Sequence, residues 1–336
     1  MKRGKRIKAF AFILIFSLFF LEIPMTIADN TNQPNTEEAV VENWRVSVGP
    51  IMLKRKNNAD TTLVITRPAF VPSLRASDLD SDFQIGPEVI IAYRFNNVEK
   101  LKNFEIEGRW FKIFEVLSDT NATRVRRPLI PYKTPLGNDG IWSYSADYKY
   151  DLQNAELNFR WLAKKKITLL AGPRFIGMDE KLNIMGTRLT GTPFPQGRDH
   201  SIQTKNRLIG AQLGIDANLF ETPMPKALSL DVWGRAGYYN NDISTHTRMF
   251  RAPAGTVLSC DADENKGSFV GEVGVNAKIK FNSSFMLIAG YEFLWIQDAA
   301  LASAQIAVSD PSNATASVAT DSVYYHGAKV AFQFRW

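Results

Sequence analysis

Charged side chains fall at every second position through much of this 336-residue chain, and that spacing limits the chemistry open to them. Glu105, Glu107 and Arg109 are one such run. Glu88, Arg94, Asp147, Glu156, Arg160, Arg174, Arg235, Glu272, Lys278, Glu292, Lys329 and Arg335 occupy the same polar phase of other segments. Residues two apart in an extended chain project from one face, so these groups share a surface. Both signs are present, so they either cross-link as ion pairs or line a narrow aqueous path. Asp242 with His246, and Asp119 with Asp139, are the residue types of an acid–base hydrolase, at a spacing that matches one only weakly. The run SDLDSD at 77–82 has alternating aspartates suited to Ca²⁺, but lacks the glycine and terminal glutamate of an EF-hand loop. Cys260 is the sole cysteine, which excludes a disulfide framework or a cysteine zinc site. No Gly-x-Ser-x-Gly elbow and no cofactor motif is present, so the expectation is no catalytic residue, metal or cofactor.

The elements that carry these charges are strands. Phe83, Ile85, Val89, Ile91, Tyr93 and Phe95 alternate with Gln84, Gly86, Glu88, Ala92 and Arg94. Such period-two patterning marks a strand with one apolar and one mixed face. Ten segments show it, near 43–54, 83–96, 102–116, 142–162, 166–182, 202–219, 227–241, 267–281, 284–297 and 321–336. The fourth changes phase, from Trp142, Tyr144, Tyr148 and Tyr150 to Leu157, Phe159 and Trp161, which predicts a β-bulge near 151–155. The run TLVITR at 62–67 could raise the strand count to twelve.

Connections alternate in length. Long ones cover about 55–82, 117–141, 183–201, 242–266 and 298–320, and short ones cover 97–101, 163–165, 220–226 and 282–283. An even strand number, long loops at one end and tight turns at the other are the pattern of an all-β, transmembrane antiparallel up-and-down barrel. Trp44, Trp161, Phe281, Trp295 and Trp336 lie near segment ends on the apolar face, as in an interfacial aromatic girdle. The polar face then becomes the lumen and holds the charged residues named above. A secreted β-sandwich is the soluble alternative, but sandwich strands average only ~5–6 residues.

The formal charge of +6 suggests an anionic partner until the first residues are considered. Lys2, Arg3, Lys5, Arg6 and Lys8 precede an apolar run over 9–21, and Thr26 and Ala28 supply small residues before Asp29. This is the pattern of a secretory signal peptide over 1–28, followed by a flexible periplasmic lead over 29–41 and a barrel over 42–336. Without 1–28 the chain has 35 basic and 33 acidic residues, a net charge of +2. No nucleic-acid-binding motif follows. In the second long loop, Arg124, Arg126, Arg127 and Lys133 suit lipopolysaccharide phosphates, and outer-membrane lipid is the expected surroundings. The sequence sets no oligomeric state.

The chain ends with Ala328, Val330, Phe332, Phe334 and Trp336 at alternate positions. This row resembles the C-terminal β-signal of bacterial outer-membrane proteins, which implies the barrel assembly machinery as a partner. The stretches YDLQNAELNFRW (150–161), GPRFIGMD (172–179), AGYEFLWIQDAALASAQI (289–306) and 323–336 resemble planctomycete-type outer-membrane β-barrel proteins. That resemblance covers roughly 142–336 and implies a porin-like channel or a structural surface protein, with long loops extracellular and both termini periplasmic. Ten strands with long outer loops are also the architecture of the omptin proteases, which use Asp/His and Asp/Asp pairs at the rim, so Asp242 and His246 would carry that alternative.

Overall fold

Ten long antiparallel strands close on themselves in a ring, in the computed structural model of the chain. They are β1 (Trp44–Asn57), β4 (Gln84–Arg94), β5 (Phe104–Arg126), β6 (Ile141–Lys164), β7 (Ile167–Arg188), β8 (Gly197–Glu221), β9 (Ala227–Arg251), β10 (Thr256–Lys280), β11 (Phe285–Ala300) and β14 (Thr320–Arg335). Each pairs with its neighbour in sequence, and β1 closes the ring against β14. The structure describes residues 43–57, 61–66, 71–79, 82–126, 141–190, 197–222, 227–251 and 255–336. The signal segment 1–28 and the lead 29–41 lie outside them.

Two connections carry structure of their own. One holds the hairpin β2 (Thr62–Thr66) and β3 (Val71–Arg75), followed by a 3₁₀ turn at Ala76–Leu79. The other holds a helical turn, α1 (Ala302–Gln305), and the small hairpin β12 (Ser309–Asp310) and β13 (Thr315–Ala316). The TLVITR run therefore pairs with β3 in a separate sheet, and the barrel has ten strands, not twelve.

The outward rows are apolar over a belt at the short-turn end. On β8 the belt runs from Leu219 to Ile209 through the exposed Ile215 and Leu213. At ~3.3 Å per residue and a tilt of ~40°, that stretch rises about 25 Å, the height of a lipid-facing band. Aromatics mark both edges. Trp44, Phe104, Trp161, Phe281 and Trp336 are exposed at the lower edge. Trp295 stacks on Tyr324 at the upper one.

β5 to β10 each continue well beyond the belt, and there the pattern inverts. Ile51, Leu53, Phe111, Ile113, Leu152, Ile176, Met178, Leu182, Ile184 and Ile202 all point inward and are fully buried. They pack against Leu63, Val64 and Leu74 of the first hairpin and against Leu301, Ala302 and Ile306 of the second insertion. The two insertions thus fill the upper lumen as a hydrophobic core.

This inversion corrects the reading of β6. Tyr144, Tyr148 and Tyr150 are buried inside the barrel, while Leu157, Phe159 and Trp161 face outward. All follow one uninterrupted alternation, so β6 has no phase change. The irregularity is on β5 instead, where the register steps from Ile113↔Leu152 to Val116↔Tyr150. Asp147 also changes sides. It alternates with the buried Ala146 and Tyr148, so it stands on the outward row rather than in the lumen.

The closing seam depends on close backbone approach. A Cβ on Gly327 would lie 1.7 Å from the Met52 carbonyl oxygen, and one on Gly49 would lie 1.9 Å from that of Val330. At the seam's lower end, the amides of Asn43 and Trp44 donate to the Trp336 carbonyl at 3.0 and 2.9 Å. Gly327→Ala is therefore expected to push β1 from β14 and to cost about 1–3 kcal/mol as an overpacked site. The heat-modifiable gel shift of the refolded barrel measures this, and an unchanged transition temperature would contradict the seam geometry.

Candidate functional site

The lumen at belt height is organised around Arg109. Its side chain projects inward from β5 and is about 1% exposed. A guanidinium has five N–H donors, and here all five meet carboxylates. Nε donates to Glu88 at 2.7 Å, Nη1 to Glu272 at 2.7 Å and Glu156 at 3.3 Å, and Nη2 to both oxygens of Glu292 at 3.0 Å. Four carboxylates round one cation would repel one another, and three more cations separate them. Lys329 reaches Glu88 and Glu292 at 3.3 Å. Arg174 reaches Glu272 at 2.7 Å, and Arg235 reaches Glu156 at 2.6 Å. The cluster holds four acids and four bases and is neutral.

Neutral groups complete it. Asn154 donates to Glu156 at 2.9 Å and Gln212 to the same carboxylate at 2.8 Å. Trp233 lies under the bases, with Arg235 4.8 Å and Lys329 5.7 Å from the ring centroid, in cation–π range. Every barrel strand except β1 contributes a side chain to this layer.

A second network occupies the lumen at the short-turn end. Arg45 bonds Glu105 at 2.5 Å and Glu107 at 2.6 Å. Arg160 bonds Glu105 and Glu107 at 3.1 Å and Asp216 at 2.7 Å. Arg94 lies 3.5 Å from Glu105 at the exposed rim, and Lys278 pairs with Asp231. Arg335 stands on the same inward phase, opposite Arg45 in register.

Above the Arg109 layer, polar side chains fasten the insertion into the apolar core. Arg55 bonds Glu180 at 2.6 Å and donates to the Tyr148 hydroxyl. Glu180 also accepts the Ala302 amide at 2.8 Å, and Asn206 exchanges two bonds with the Ala300 backbone at 2.7 and 2.9 Å. Asn241 donates to the Asp298 carbonyl at 3.1 Å. In the part of β8 beyond the belt, His200 is buried, and desolvation pushes its pKa down to about 4.

Fourteen of the fifteen charged residues expected in the lumen sit on inward rows; Asp147 is the exception. Sequence reasoning missed Arg45, Arg55, Glu180 and the inward Trp233. Ala328, Val330, Phe332 and Phe334 form an outward row on β14, with Phe332 and Phe334 5.8 and 5.1 Å from the Phe285 ring. The Asp242–His246 pair is not assembled. Both residues lie on the outward row of β9, and His246 Nδ1 pairs with Asp261 of β10. Asp139, Arg127, Lys133 and part of SDLDSD lie outside the described residues, as do the side chains of Asp119, Arg124 and Arg126. Among the described residues, no cluster of His, Cys, Asp or Glu is placed to hold a metal ion.

Residues 94–336 match the sequence model of the family described as "Putative beta barrel porin-7 (BBP7)". The chain belongs to this porin family. It is an outer-membrane β-barrel. Solved structures similar to it include the outer membrane protease OmpT of Escherichia coli, at 9% identity, covering 89% of this chain and 99% of that one, with a TM-score of 0.48. The translocator domain of the autotransporter NalP from Neisseria meningitidis is 11% identical over 98% of each chain, with a TM-score of 0.36. The Ralstonia pickettii toluene transporter TbuX is 10% identical over 88% of this chain and 90% of that one, with a TM-score of 0.32. No curated protein matches the sequence.

Removing one member of a buried network leaves its partners uncompensated. Arg109→Ala leaves four buried acids to three bases and is expected to destabilise the porin-family barrel by about 3–5 kcal/mol. Arg94→Ala, at the exposed rim, is expected to cost less than about 1 kcal/mol. Urea unfolding of the two variants in detergent compares them, and equal losses would contradict a central role for Arg109.

Proposed function

We propose that this member of the family is a closed barrel of the bacterial cell envelope, with a structural or surface role, whose lumen is a packed core rather than an open solute path. The observation that carries this reading is the saturation of all five Arg109 donors by carboxylates drawn from across the ring. Water or a solute crossing that layer has to break charge-assisted bonds, which are about twice as strong as neutral ones. The insertion fastened by Glu180, Asn206 and Asn241 adds a second obstruction above it.

The remaining parts of the reading follow from this one. Residues 1–28 serve as an export signal and 29–41 as a periplasmic lead. Both termini face the periplasm and the long connections face outward; the short turns beside Trp44 and Trp336 support that orientation. The outward row Ala328, Val330, Phe332, Phe334 and Trp336 acts as a β-signal for the barrel assembly machinery. The likeness to planctomycete-type barrels suggests the kind of envelope the protein serves. No catalytic role is assigned, because Asp242 and His246 stand apart on the outer wall. Neither nucleic acid nor a cofactor enters the reading.

Planar-bilayer recording of the refolded chain is the test. The wild type is expected to show no conductance steps above the lipid background. Replacing both Arg174 and Glu272 with Ala keeps the cluster neutral while removing a 2.7 Å pair, and is expected to produce measurable steps. Stable ohmic steps from the wild type would overturn the closed-barrel reading.

A further inference from the structure

We propose that His200, Met249 and Cys260, on the inward face of β8–β10 above the apolar belt, form a binding site for a soft monovalent cation, Cu(I). The three donors fall on adjacent strands. Met249 of β9 is directly opposite His200 of β8 in register. Cys260 of β10 is opposite Thr247, the neighbouring inward position of β9. It is therefore diagonal to Met249 on the same face, a spacing that long side chains bridge. All three are buried, His200 and Met249 at 3% exposure and Cys260 at 6%. Methionine is unbranched and adaptable, which suits the central place in such a trio.

His200 is the residue that points to a ligand. Buried polar side chains are in large majority hydrogen-bonded, yet neither ring nitrogen of His200 has a hydrogen-bond partner among the described residues. The Thr247 hydroxyl, which shares the inward face with the three donors, also has none. Ile184 is opposite His200 on β7, and Ile202 is its neighbour along the inward row of β8. Neither side chain can bond an imidazole. A neutral imidazole keeps a lone pair that a metal can take.

Donor chemistry selects the metal. Thiolate and thioether sulfur favour Cu(I), and imidazole also accepts copper, whereas hard cations take oxygen ligands. The central donor is a thioether, so the site is distinct from the His, Cys, Asp and Glu clusters that the described residues do not form. Binding breaks the Cys260 S–H bond and forms a Cu–S bond. The proton passes to the buffer, and copper stays Cu(I) throughout. Thiolate and Cu(I) together are neutral, so the filled site adds no net charge to an interior beside Ile184 and Ile202. The patch stands on the β8–β10 wall and does not depend on whether the Arg109 layer conducts.

The experiment titrates the refolded full chain in detergent with Cu(I), without oxygen and against a chromogenic Cu(I) chelator, and reads the metal's neighbours by X-ray absorption. The wild type is expected to take up a single Cu(I), with two sulfur neighbours and one nitrogen. Met249→Leu, which keeps the side chain apolar and close in size, is expected to weaken binding roughly tenfold or more and to remove one sulfur neighbour. Cys260→Ser is expected to weaken it further. Met185→Leu, on the outward row of β7, is expected to leave both readouts unchanged. His200→Gln is expected to remove the nitrogen neighbour, and if it fails to refold, the Met249→Leu readouts decide. Binding no tighter in the wild type than in Cys260→Ser, a shell with only one sulfur, or an unchanged affinity in Met249→Leu would each overturn the site.

Discussion

A guanidinium held near the axis of a membrane barrel must be matched by acids, because an isolated buried charge costs several kcal/mol even after relaxation. Arg109 meets this constraint with Glu88, Glu156, Glu272 and Glu292, which come from β4, β6, β10 and β11. Those acids in turn require Lys329, Arg174 and Arg235 from β14, β7 and β9. The demand for neutrality at one point therefore ties most of the ring together. It also specifies register. A slip of one residue on β5 would turn Arg109 toward lipid and leave four carboxylates to the three remaining bases, Lys329, Arg174 and Arg235.

The same strands solve a different problem above the belt. With water rather than lipid outside, apolar side chains gain by turning inward, and the alternation that placed charges inside the belt places Ile, Leu and Tyr inside the extension. Filling that space takes chain from outside the barrel wall, supplied by the hairpin β2–β3 and the insertion at α1. A buried insertion brings backbone groups that need partners. Asn206 and Glu180 provide them, and Gln305 both donates to and accepts from the Ala319 backbone at 2.6 and 3.0 Å.

This change of solvent along one strand explains what was legible beforehand. Period two is a local property, so the ten strands and the inward phase of Glu105, Glu107, Arg109 and Glu272 could be read directly. The rule that apolar means lipid-facing is not local. It holds for Phe159 and Trp161 and fails for Tyr148 and Tyr150 on the same strand, because the latter lie where the barrel has left the membrane. Asp147 was misplaced for that reason. Arg55 and Glu180 were overlooked because they sit in apolar company, where a sequence gives no sign that a cross-barrel partner exists. Arg45 lies one residue from Trp44, and the girdle reading drew attention to the aromatic rather than the base.

Selectivity gives a further argument about the lumen. Channels that select ions do so with rings of one sign or with aligned dipoles. Here each acid is interleaved with bases, and the belt-height cluster sums to zero. That layer therefore has no net charge with which to discriminate cation from anion. Paired charges of this kind act as cross-links between strands.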